Sequence, residues 1–299
     1  MKIRIKIFFI LLLFSAGQAL SQQPIQVVST TWEQRFDWTD KTRLFINGEQ
    51  ADIFITTHKD ADIKCTVVRS SRHTDKAQAE SDLKMMKLLN DQSGRTITLR
   101  NYVEVAKGAD RPEAKLKSTY RISLPENGGG TIEIWNYFGS VEVDAISADI
   151  KLKVEFSNVQ LKAYSGNADL NMKYGDATLT DLSGTMVMIT DRSNIDLQFL
   201  KGSANIQAQY ARIRLLNMYD PKQLTINATR SEVFLDIPSK AQLGYQIQAE
   251  NVDVNHPSGK KLTQITGADG SFKLSHIPRS GGVHADIHIH TGSINYIVQ

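Results

Sequence analysis

The chain has a single cysteine, so no intramolecular disulfide staples it. That residue, Cys65, lies far from the end of the N-terminal segment, which argues against a lipid anchor on a mature N-terminal cysteine. Ile63, Cys65 and Val67 alternate with Lys64 and Thr66, so the thiol is expected to face a core as a small inert hydrophobe. Beyond the N-terminus no stretch approaches the about 18 consecutive apolar residues of a membrane-spanning helix. Gly-x-Ser-x-Gly elbows, phosphate loops, zinc fingers, basic stripes and dinucleotide fingerprints are all missing.

An excess of either charge is missing too. The formal net charge of +3 comes from Lys2, Arg4 and Lys6. Without those three, 32 Lys and Arg face 32 Asp and Glu. The composition therefore gives no reason to expect nucleic acid or an anionic membrane as partner. The same three residues form the basic start of a secretory signal. Ile7 to Phe14 supply its apolar centre, and Ala19 and Ser21 its small residues before cleavage at Gln22. Residues 1–21 read as a signal peptide, which sends the chain to the periplasm or cell surface. No membrane-spanning segment is expected after cleavage.

The dominant feature is a repeat of eighteen residues. Val141 and Val143 recur as Val159 and Leu161, Ala177 and Leu179, Ile195 and Leu197, then Ile213 and Leu215. A twenty-residue step at Asp220-Pro221 leads to Val233 and Leu235. The residues between them (Glu142, Gln160, Thr178, Asp196, Arg214) are polar, the alternation of a half-buried strand. A second strand keeps the same period. Ile132 and Ile134 lead through Ile150, Ala168, Met186 and Ala204 to Leu224 and Ile226, with Tyr245 and Ile247 next in the column. A small residue stands at the corner between the strands: Gly139, Ser157, Gly175, Ser193, Ala211 and Ser231. Before it come Phe138, Phe156, Tyr174, Arg192, Tyr210 and Arg230. The fold class is all-β: a parallel two-faced β-solenoid, β-helix-like, with about 18 residues per coil. A three-sided β-helix would need apolar residues every six positions, where Ser147 and Lys153 stand. A meandering antiparallel sandwich is the alternative.

Residues 22–130 lack the period and read as a β-rich capping region, with residues 131–299 as the repeat domain. Strands are expected at 43–46, 52–55, 62–68, 96–102 and 118–124, with Asn47-Gly48 as a turn. One helix is expected from Asp75 to Asn90, capped by Thr74, with Ala79, Leu83 and Met86 facing the core. The repeat begins at Asn127-Gly128-Gly129-Gly130 and loosens at His256-Pro257-Ser258-Gly259. Two closing strands, 284–290 and 293–298, are expected to seal the last coil.

The strand end at Leu124-Pro125, the run Asn136-Tyr137-Phe138-Gly139-Ser140-Val141 and the short-strand coils after it resemble a bacterial envelope family. This is the β-strand-repeat group regarded as adhesin-like, of the head-domain type known from Bacteroidetes. The resemblance implies a β-helix-like fold at the cell envelope and carries over no catalytic residue.

One ligand set stands out. His284, Asp286, His288 and His290 alternate with Ala285, Ile287 and Ile289, so all four project from one strand face, where a metal ion is one possible occupant and a polar outer face the plainer reading. Tyr137, Phe138, Phe156, Tyr174 and Tyr210 form a candidate aromatic ladder. Outside the fold it would offer a glycan site, and inside a corner it would be packing, the favoured reading. Trp32, Phe36 and Trp38 pose the same choice. Paired carboxylates of the kind glycan hydrolysis needs are not evident. The expectation is a non-catalytic envelope protein without cofactor, adhesin-like or a scaffold for an unidentified protein or glycan. The alternatives are a periplasmic sensor or accessory protein of a stress pathway, then a glycan-active enzyme.

Overall fold

The computed structural model describes residues 24–126, 128–219, 221–238, 243–255, 263–266, 271–276 and 284–298. The expected signal peptide, Asn127, Asp220 and the 256–259 segment lie outside the described residues. Before the repeat, the elements are β1 (Gln26–Asp37), β2 (Arg43–Glu49), β3 (Ala51–His58), β4 (Asp62–His73), α1 (Lys76–Met85), β5 (Met86–Ser93), β6 (Thr96–Val103) and β7 (Lys115–Pro125). Through the repeat run β8 (Thr131–Asp144), β9 (Asp149–Lys162), β10 (Asn167–Lys173), β11 (Asp176–Thr180), β12 (Thr185–Asp191), β13 (Asn194–Gln198), β14 (Ser203–Gln209), β15 (Arg212–Leu216) and β16 (Gln223–Ile237). The chain ends with β17 (Tyr245–Asn255), β18 (Thr263–Thr266), β19 (Phe272–His276) and β20 (Ala285–Val298).

The sequence columns are the register of the structure. Along one side Ile132 pairs with Ile150, Ile150 with Ala168, Ala168 with Met186 and Met186 with Ala204, all parallel. Along the other, Val141 pairs with Val159, then Ala177, Ile195 and Ile213. At β16 the step becomes Ala204 to Leu224 and Ile213 to Val233, absorbing the two-residue slip. Because β9 and β16 belong to both sides, eight parallel strands close into a ring: β9, β10, β12, β14, β16, β15, β13 and β11. Inward Ile, Leu, Val, Met and Ala fill this ring and are almost fully buried. Each large apolar residue so placed contributes about 1.5–3 kcal/mol.

The corner explains the small-residue position. Phe138, Phe156, Tyr174, Arg192, Tyr210 and Arg230 all have φ between 50° and 58°, so the bend itself falls on the residue before the small one. A third buried column was not expected: Ile146, Tyr164, Leu182, Leu200 and Met218 recur at eighteen within the return turns. These turns are hydrogen-bonded from coil to coil, Ser183 N to the Tyr164 carbonyl (3.0 Å) and Lys201 N to that of Leu182 (2.7 Å). Each repeat therefore buries a residue of its return turn besides those of its two strands.

Both ends depart from expectation. Leu44 and Ile46 of β2 pair in parallel with Ile132 and Ile134 of β8, and also with Ile97 and Leu99 of β6. In the same way β3 lies between β8 and β7. The N-terminal region thus adds coils in the same register, without the sequence period because β4, α1 and β5 intervene. Antiparallel strands close this end: β4 on β7, β1 on β4 and β5 on β6. Asn47-Gly48 lies within β2 and is not a turn; the corner is Gln50, at φ 50°. At the other end β20 is one continuous strand. It does not seal the last coil but lies between β16 and β17, parallel to both. The Leu224 and Ile226 column therefore continues through Ala285 and Ile287 before reaching Tyr245 and Ile247.

The helix is shorter than expected. Asp75, not Thr74, caps α1, accepting from the Ala77 N–H at 2.8 Å. Residues from Met86 onward leave it to pair with β6 as β5, because the edge of β6 offers them a complete ladder. The buried positions of α1 are Ala79 and Asp82, while Leu83 is only partly buried. Asp82 accepts from the backbone N–H groups of Glu113 and Ala114 at 2.9 and 2.8 Å, and from Gln78 at 2.9 Å. It pins the segment leading into β7.

Candidate binding surfaces

Three surfaces carry side chains arranged by the stack. The first is the corner ladder. It stands outside the fold, with Phe138 at 54% and Phe156 at 47% exposure, which overturns the expectation of packing inside a corner. Phe138 and Phe156 stack at 5.0 Å and 7°, and Phe156 and Tyr174 at 4.8 Å and 4°. Arg192 then lies between the rings of Tyr174 and Tyr210, at 5.6 and 4.8 Å, and Arg230 caps Tyr210. Because the rings face one another, the faces between neighbours are already used, and Phe138 at the end of the row is stacked on one side only. A sugar stacks on a ring face, so this ladder is a brace of the positive-φ corner and a poor glycan platform. Tyr137 stands apart, donating to Glu155 at 3.3 Å.

The second surface is the outer face of β11, β13, β15 and the second half of β16. Its side chains satisfy each other across strands. Arg214 pairs with Asp196 at 3.2 Å, Arg212 with Glu232 at 3.1 Å, and Asn194 donates to Asp176 at 2.8 Å.

The third is the outer face of β10, β12, β14 and the first half of β16. A shallow trough of about 540 Å³ crosses it, lined by Asn171, Ile189, Gln207 and Asn227 with Lys173, Asp191 and Thr229 beside them. A second hollow of about 190 Å³ shares Asn227 and Thr229 and continues to Gln248, His288 and His290.

The expected metal ligands lie at that far end. Ala285, Ile287 and Ile289 are buried, so the polar residues do face outward as the alternation requires. His288 Nε2 approaches Asp286 Oδ1 to 3.0 Å. His290 turns to Glu250 at 3.2 Å, and His284 lies 3.3 Å from the Lys222 carbonyl. Only His288 and Asp286 are thus brought together, while His290 and His284 are drawn to other groups. Among the described residues, the group whose ligand atoms come within 4.8 Å of one another is instead His58, Asp60 and Asp62. Sequence reading missed it, since it forms across the β3–β4 turn. Arg35 already pairs with both of its carboxylates, 3.1 Å from Asp60 and 3.0 Å from Asp62. Hydrogen bonding to Arg35 holds the Asp60 carboxyl below its usual range, so the cluster is an ion-pair knot.

Phe36 and Trp38 belong to the core, with Trp32 packed against it, and Trp38 donates to the Gly129 carbonyl at 2.8 Å. Cys65 is fully buried, and burial pushes its thiol up to about 12. Thiol-specific labelling of the native protein at pH 8 is expected to stay below a tenth of the labelling reached in denaturant, since the thiolate is the nucleophile. Equal labelling in both states would show that the core opens readily.

A search of curated proteins finds no significant match. Solved structures give several likenesses. A proposed adhesin from Bacteroides fragilis is 11% identical, with 91% of this chain and 97% of that one covered and a TM-score of 0.41. A proposed cell adhesion protein from Clostridium sporogenes is 14% identical over 91% of this chain and 100% of its own, at 0.31. A proposed lipid-binding protein from Parabacteroides distasonis is 16% identical over 90% and 97%, at 0.42. Among family profiles, that of Toastrack DUF4097 matches residues 41–295, and the chain belongs to this family.

Proposed function

We propose that this is an exported, non-catalytic protein of the bacterial envelope, which presents a rigid surface to a partner as an adhesin or scaffold does. The closed ring is read as a flattened solenoid of about 18 residues per coil. Its two broad faces correspond to the β10–β12–β14 and β11–β13–β15 sides, and its narrow return turns form the third. The observation that carries the reading is the outer side-chain array. It repeats from strand to strand on a stack whose every coil is locked in register with the next. Such a stack holds its surface groups in place without a partner, so little ordering cost attends binding. Non-catalytic action is supported by the second surface, where carboxylates pair with Arg and Asn and not with each other.

Export and display are tested by protease shaving of intact cells carrying an epitope-tagged copy, beside a periplasmic control protein. The tag is expected to disappear while the control survives. A tag that resists until the outer membrane is opened would sink the surface role and point to a periplasmic accessory protein.

A further inference from the structure

We propose that the trough on the outer face of β10, β12, β14 and β16 is a binding site for a neutral polysaccharide chain. This rests on the reading above that the protein works through a presented surface, and it names the ligand class.

Three observations lead there. The outward residues of β14 are Ser203, Asn205, Gln207 and Gln209, and those of the facing half of β16 are Gln223, Thr225, Asn227 and Thr229. All eight are uncharged hydrogen-bonding groups. On the same face β9 turns out Asp149, Lys151, Lys153 and Glu155, all charged. Charge is thus sparse along the trough and kept to its ends: Lys173 and Asp191, the latter paired with Arg192, at the β10–β12 end and Glu250 at the β17 end.

The amides of the trough are also free. Among the described residues, Asn171, Gln207, Asn227 and Gln248 make no side-chain hydrogen bond or ion pair, whereas Asn194, Arg212 and Arg214 of the opposite face are bonded to neighbouring strands. Donors and acceptors that the fold does not use are held in rows. Gln207 lies opposite both Ile189 and Asn227, and Asn227 opposite His288.

Apolar surface completes the trough. Ile189 is 48% exposed and Val187 41%, directly beside Gln207 and Asn205. A pyranose has this mixed character: C–H groups on its faces, hydroxyls around its rim and no net charge. The amides meet the hydroxyls and Ile189 the C–H face. The two hollows together cross six strands, from Asn171 of β10 to Gln248 of β17, a run of about 24 Å at about 4.8 Å per strand. That length suits a chain of several sugars more than a single one. A protein partner fits less well. Protein interfaces are enriched in aromatic residues and Arg, and the trough lining has neither.

The test is native gel electrophoresis of the full mature chain through gels containing a neutral polysaccharide (mixed-linkage β-glucan, α-mannan or dextran) or anionic alginate. At least one neutral polysaccharide is expected to retard the protein, and alginate is not. The double variant Gln207→Glu with Asn227→Asp keeps shape and adds charge at exposed positions. It is expected to weaken the retardation tenfold or more, and Gln207→Ala threefold or more. Thr178→Glu on the opposite face is expected to leave it unchanged. No retardation by any neutral polysaccharide, retardation by alginate alone, or retardation indifferent to both trough variants would each overturn the proposal. A protein that is displayed on cells yet binds none of these polysaccharides would keep the adhesin reading and lose the ligand class. Binding by a protein that resists shaving would do the reverse.

Discussion

Replacing Gly184 by valine is expected to destabilise the protein by about 3 kcal/mol or more, at or beyond the upper end of ordinary overpacking. Gly166, Gly184 and Gly202 recur at eighteen residues in the return turns. A Cβ on Gly184 would stand 1.9 Å from the Gly166 carbonyl oxygen and 2.6 Å from that of Ser165. A Cβ on Gly202 would meet the Gly184 oxygen at 1.9 Å. The need is for closeness and not for unusual dihedrals, since Gly184 is not among the residues of positive φ. No rotamer can relieve the clash, because the position of Cβ is set by the backbone. The backbone cannot give way cheaply either. The Gly184 carbonyl accepts from Ser203 N at 3.0 Å, and Gly202 N donates to the Leu182 carbonyl at 3.0 Å, so a shift in one coil breaks bonds to the next. The comparison is Thr178→Val, an exposed change expected to stay within about 0.5 kcal/mol. Urea unfolding of both variants measures the difference through the midpoint. A Gly184→Val midpoint close to wild type would mean that the return turns do not stack as tightly as they stand here.

What the sequence reveals of this fold is whatever repeats along it. Val141, Val159 and Ala177 are legible as one column because burial demands an apolar side chain at each, and parallel pairing puts equals opposite equals. The glycine column was equally periodic and was missed, as was the column of Ile146, Tyr164 and Leu182. Strand alternation marks the strand columns, and turns have none. Other features are not local at all. The placing of β2 between β6 and β8, and of β20 between β16 and β17, depends on partners distant in the chain. Their alternation shows a strand but not its neighbour. At α1 the residues Met86 to Ser93 carry a weak helical pattern, and the open edge of β6 outweighs it. The candidate site was half legible. Alternation showed which residues face out, but the row of amides emerges only when Asn171, Gln207 and Asn227 are set side by side. The ladder shows the same limit: its members were identifiable, while the face-to-face stacking that consumes the rings was not.

The position of β20 makes the C-terminal strand far more consequential than a terminal strand usually is. Ending the chain before His284 is expected to cost at least tenfold in soluble protein. Among the described residues, β17 pairs only with β19 and β20, and β19 with β17 and β18. Without β20, the β17–β19–β18 unit has no strand joining it to the stack. The deletion also opens the full parallel edge of β16 and one edge of β17, both templates for association with other chains. It removes Ala285, Ile287, Ile289, Ile294 and Tyr296, all buried. At about 1.5–3 kcal/mol for each large apolar side chain, the loss is on the order of 10 kcal/mol as an upper estimate. A domain's whole stability is about 5–15 kcal/mol, so this loss alone rivals it. Had these residues merely sealed the outside of the last coil, their removal would peel away one layer and leave the rest paired. A second chain, ending at Ile237, separates the two cases. It exposes the same β16 edge but carries no unattached strands, so it is expected to be more soluble than the longer chain that ends before His284. A full-length Ile287→Asp variant, with a carboxylate at a fully buried position between β16 and β17, should resemble the longer truncation. If the chain ending before His284 stays soluble and melts within a few degrees of wild type, β20 does not bridge the two coils. The strand would then have to lie at the outside of the stack.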